Sequence, residues 1–66
     1  MSILKVIEVM ANSSKSWEDA ANNAVKTASK SVKHIRSVYV QEQSAVVDDS
    51  EIVEYRVNVK VTFEVK

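Results

Sequence analysis

The sequence predicts an α+β chain in the order β-α-β-β, with one helix packed across the apolar face of a three-stranded antiparallel sheet. Three observations carry this. Apolar residues recur at three-and-four spacing from Trp17 onward, the signature of one helical face. Val53, Tyr55, Val57, Val59, Val61, Phe63 and Val65 alternate strictly with polar residues, the signature of a strand with one buried face. Asp48-Asp49-Ser50 separates that strand from an earlier valine-rich segment, as a hairpin turn would.

Taken in order, Ile3 to Met10 reads as the first strand. Ile, Leu and Val dominate it, with Lys5 and Glu8 as its charges, and apolar residues fall on both parities, which implies partial cover on both faces. Asn12 to Ser16 is a polar break. Ser16 is placed as helix N-cap, with Asp19 at N3 as a capping-box variant. Trp17, Ala20, Ala21, Ala24, Val25, Ala28, Val32 and Ile35 then mark the helix face, and its alanines allow close approach to a sheet. Lys30, Lys33 and Arg36 are placed near the negative end of its dipole. Val38 to Val47 reads as the second strand. Val38, Val40 and Val46 share one parity, Tyr39, Ala45 and Val47 the other, and a polar patch from Gln41 to Ser44 lies between. The final strand runs from Ile52 to Lys66. With no Gly and no Pro, the boundaries rest on periodicity alone.

Length and composition narrow the function. The 66 residues form one domain, 1–66, and 45% hydrophobic content is too rich for a disordered chain. Nine basic and nine acidic residues balance, which argues against a nucleic-acid or membrane-surface partner. No apolar run approaches the ~20 residues of a membrane span. No basic-then-apolar leader is visible, so the expected compartment is the cytoplasm. A domain of about 60 residues buries only about 60% of its unfolded surface and needs reinforcement. With no cysteine and one histidine, His34, disulfides and a thiolate or imidazole metal site are excluded, leaving self-association. Strand length points the same way. A globule of this size is about 30 Å across, whereas a strand of some 14 residues spans roughly 45 Å. The last strand must curl around the helix or extend into a neighbour.

The chain resembles the dodecins over essentially its whole length. The resemblance rests on Lys5-Val6-Ile7-Glu8, Ser16-Trp17-Glu18-Asp19-Ala20, Asn23-Ala24-Val25, Ala28-Ser29-Lys30, Val40-Gln41-Glu42-Gln43, and Tyr55-Arg56-Val57 running into Val59-Lys60-Val61-Thr62-Phe63. It implies a sheet wrapped around one helix and a hollow homododecamer of tetrahedral symmetry. It also implies a non-enzymatic protein that binds a small molecule between subunits: a flavin (FMN or riboflavin) in many members, coenzyme A or calcium in others. In flavin-binding members a Trp after the helix–strand junction stacks on the isoalloxazine ring, and that position aligns with Ser37. Stacking is worth about 1–3 kcal/mol per ring, so its loss implies flavin affinity lower by about one to two orders of magnitude. The family's last-strand glutamine aligns with Arg56, an arginine after the Glu-Gln pair with Ser44, and a second arginine with Glu64.

These alignments set the candidate sites. Ser37, Gln43, Ser44 and Arg56 are the candidate ligand-binding residues, and Ser37 and Gln43 fit equally well as polar residues of a subunit junction. Arg56 fits either an anion contact or, as the simpler reading, an ion pair with Glu42 or Glu54. Asp48, Asp49 and Glu51 form an oxygen-rich group at the turn. Calcium wants six to eight oxygens, so a solvated turn is the simpler reading unless neighbouring subunits, carbonyls or water contribute. Trp17 reads as a packing residue from its helical phase, and His34 as a capping or surface residue. No nucleophile–base–acid pattern indicates an enzyme.

Overall fold

A computed structural model describes residues 3–65. The elements are β1 (Ile3–Ser13), α1 (Trp17–Ala28), β2 (Ile35–Asp48) and β3 (Glu51–Val65). One antiparallel sheet has the order β1-β3-β2, so the strongly alternating last strand is the central one. Lys66, expected to end it, lies outside the described residues.

Ser16 caps α1 as its sequence position implies: its backbone is extended and its Oγ accepts the Asp19 N–H at 2.9 Å. The Asp19 carboxylate does not close a reciprocal box. Its Oδ2 accepts the Ser13 hydroxyl at 2.6 Å, while Ser13 Oγ accepts the Lys15 N–H at 2.9 Å. This local network fixes the turn between β1 and α1 and satisfies the buried Ser13.

The helix ends earlier than the apolar spacing predicts. Ser29 caps it, the N–H groups of Ser31 and Val32 both bond to the Ala28 carbonyl at 2.9 Å, and His34 at φ 62° reverses the chain. Val32 and Ile35 still pack against the core, but from the connection and from the start of β2. Periodicity alone merges them with the helix because all three segments border one core. Lys26, not Lys30, Lys33 or Arg36, is the basic residue of the last turn.

Ala20, Ala24 and Ala28 lie one turn apart on α1 and are buried against Val57, Val59 and Val61 of β3. These three valines are the largest fully buried side chains, so the core is thin. At about 1.5–3 kcal/mol per buried aliphatic side chain, it contributes little against the entropy of ordering the chain. A helix of 12 residues is about 18 Å long. The molecule measures 51 × 19 × 13 Å, so most of the sheet runs beyond the helix.

Strand parity holds along β1 and most of β3 but not along β2. Arg36 and Gln41 are extra residues in β2, and Val53 is one in β3. Val38 and Val40 register with the helix-facing Val61 and Val59, whereas Val46 registers with Glu54 on the opposite face. The shared parity of Val38, Val40 and Val46 is therefore not a shared face. At the hairpin Asp49 (φ 52°) and Ser50 (φ 63°) both adopt left-handed geometry, the φ signs of the type I′ turn that matches strand twist.

Candidate ligand-binding site on the outer sheet face

The face of the sheet turned away from α1 is built in rows across the three strands. Val6, Thr62 and Ser37 form one row, and Glu8, Lys60 and Tyr39 the next. Met10, Asn58 and Glu42 follow, then Asn12, Arg56 and Ser44. Apolar residues on this face belong chiefly to β1: Leu4 is 56% exposed, Val6 55% and Met10 68%. The sequence implied cover on both faces of β1, and within one chain only the helix side has it.

Ser44 and Arg56 are register partners, so the structure brings these two candidate residues together. Arg56 Nε donates to Glu54 Oε2 at 2.9 Å, one of the two ion-pair partners its position suggested; Glu42 registers with Asn58 instead. Half-exposed, the pair contributes at most about 1 kcal/mol, and the guanidinium has further N–H donors for an anion. An open groove beside it is lined by Met10, Ala11, Asn12 and Arg56.

The other candidates lie elsewhere. Gln43 registers with the buried Val57, which places it on the helix side of the sheet. Ser37 registers with Thr62, six residues along β3 from Arg56, roughly 20 Å at ~3.3 Å per residue. Ser37 and Arg56 therefore do not converge on one point, and only an extended ligand would touch both within a single chain. Glu64 accepts from Arg36 at 2.6 Å, an ion pair across β2 and β3. Asp48, Asp49 and Glu51 are all exposed at the hairpin tip. Among the described residues no three His, Cys, Asp or Glu side chains gather to hold a metal.

Two residues of this face escape a sequence reading. Asn12, taken as part of the polar break, is the last strand residue before Ser13 and sits across from Arg56. Tyr39 is 65% exposed and registers with Lys60. Its parity with Ser37 was the available signal. Ser37 offers a hydroxyl but no ring, and Tyr39 supplies aromatic surface on the same face two residues along.

Residues 3–66 match the family model described as Dodecin. The chain belongs to the dodecin family. It is 41% identical over 66 residues to a calcium dodecin of Mycobacterium tuberculosis, covering 100% of this chain and 93% of that protein. The solved structure described as the calcium chelating immunodominant antigen, calcium dodecin, of the same organism is 40% identical with a TM-score of 0.84, over 98% of this chain and 93% of that one. A point mutant of the T. thermophilus dodecin superposes with a TM-score of 0.94 over 100% and 98% of the two chains; at 24% identity it shows the fold alone. None of these relatives is named for an enzymatic activity. Among the described residues no helix is long and apolar enough to cross a membrane.

Proposed function

We propose that this chain is the subunit, one domain over 1–66, of a hollow cytoplasmic homododecamer that binds and stores a small cofactor without catalysis. The observation that carries it is the mismatch between a six-residue core of alanine and valine and an outer face lined by exposed Leu4, Val6 and Met10. Burial of that stripe by other copies supplies the apolar contact that one chain lacks. The cofactor site lies between subunits, as the family resemblance implies, with Ser37 and Arg56 roughly 20 Å apart along the sheet of one chain. Arg56 with Ser44 holds an anionic group, a phosphate of FMN or coenzyme A. Ser37, which brings no ring, gives a weakened flavin site. When bound, a flavin would supply a planar aromatic ring system and, as FMN, a phosphate.

Equilibrium dialysis against FMN, with fluorescence quenching as a second readout, tests the flavin reading: measurable binding supports it, and no binding at hundreds of micromolar protein removes it. With the rest of the pocket intact, Ser37→Trp is expected to tighten FMN binding by about ten- to a hundredfold; an unchanged affinity contradicts the stacking role of that position.

A second reading, a calcium-binding cage without flavin, is favoured by the calcium dodecin relative at 41% identity. Asp48, Asp49 and Glu51 would then serve only with oxygens from other subunits, carbonyls or water. It predicts a melting temperature that rises with calcium and falls with chelator. Melting that ignores both removes it.

A further inference from the structure

Trp17 is the single tryptophan of the chain, and its indole spans from the start of α1 to the edge strand β2. The ring packs edge-on to Tyr55, with centroids 4.9 Å apart and planes at 76°. Its Nε1–H donates to the Ser44 carbonyl at 2.8 Å. Tyr55 registers with Ala45 and lies on the helix side of the sheet. The indole thus grips, from the helix side, the backbone of a residue whose side chain belongs to the outer face.

Beyond its pairing with β3, that segment of β2 has little else within one chain to hold it. Gln41 to Ser44 are all exposed, and the first of them, the extra residue Gln41, breaks the register. The helix packs chiefly on β1 and β3 and least on β2. As an edge strand, β2 has no third strand beyond it to take its outward carbonyls. A bulged, solvent-exposed edge segment opens at low free-energy cost. The Trp17 hydrogen bond ties it to the first turn of α1.

We propose that Trp17 is a positioning residue for the ligand site, its indole N–H latching the bulged segment of β2 so that Ser44 stays opposite Arg56. The latch itself stands on the geometry above; its consequence for a ligand rests on the binding role proposed for Ser44 and Arg56.

Because the chain has one tryptophan, biosynthetic replacement by benzothienylalanine changes this position alone. That analogue keeps the bicyclic shape against Tyr55 and replaces the N–H with sulfur. Amide hydrogen exchange over Gln43–Ala45 is expected to accelerate about tenfold while Val57–Val61 keep their protection. The FMN dissociation constant is expected to rise about three- to tenfold. Unchanged exchange over Gln43–Ala45 overturns the latch. Faster exchange with an unchanged FMN affinity overturns the positioning role. If the unmodified protein binds no FMN, the flavin reading fails, and the exchange result alone supports or overturns the latch. Should the analogue-containing chain not fold, indole N–H exchange in the unmodified protein decides the latch. Protection beyond that of free indole supports it, and exchange at the free-indole rate overturns it.

Discussion

Val6→Lys combined with Met10→Lys is expected to abolish assembly and leave subunits that do not hold their fold. Both residues lie on the outer face of β1, at 55% and 68% exposure, so within one chain neither substitution touches the core. A purely monomeric protein would tolerate them, since exposed substitutions usually stay within about 0.5 kcal/mol. In the proposed assembly each lysine would lie in a subunit contact, where desolvating an unpaired ammonium costs several kcal/mol. That cost falls on a chain whose core alone is marginal. Size-exclusion chromatography with circular dichroism reads the result. A double variant with wild-type mass and secondary structure would show that the β1 stripe is not an interface.

Ala24→Leu is the substitution expected to damage the subunit itself most. Ala24 is 1% exposed and belongs to the same buried cluster as Val59, itself 1% exposed. Three extra carbons have no space unless the helix lifts from the sheet, and such overpacking costs about 1–3 kcal/mol. In a domain this small each kcal/mol moves the midpoint by about 4–8 °C, so the melting temperature should fall by about 4–24 °C. Asn22→Leu, at an exposed position of the same helix, is the control and should move it little. An equal effect of the two would mean that the close helix–sheet approach is not what the alanine face provides.

The sequence and the structure agree where one physical signal dominates. The alternation of Val57, Val59 and Val61 with Arg56, Asn58 and Lys60 reports a central strand with one buried face, and nothing competes with it. Ser16 as cap and Asp49-Ser50 as turn follow from local hydrogen bonding and from short polar side chains that tolerate left-handed backbone. The helix end was not legible. Val32 and Ile35 keep an apolar spacing for a different reason, and no glycine marks the reversal that His34 makes. Nor was the parity switch in β2, because a bulge is one unmarked residue among several polar ones. At the site, Ser44 beside Arg56 depends on that bulge at Gln41: without it the register slips by one and Ser44 turns to the helix side. The separation of Ser37 from Arg56 and the reach of the Trp17 indole are properties of register and packing, which a linear pattern does not carry. The Arg56–Glu54 pair, by contrast, joins same-face neighbours two residues apart, and was among the partners their positions allowed.

The claim on which the rest depends is that other copies of the chain cover its outer apolar stripe. Native mass spectrometry of the protein purified from its own host tests this directly and reports any retained cofactor in the same spectrum. The expected mass is twelve times 7.4 kDa, about 89 kDa, before any bound ligand. A species at 7.4 kDa that remains folded at micromolar concentration would contradict the account.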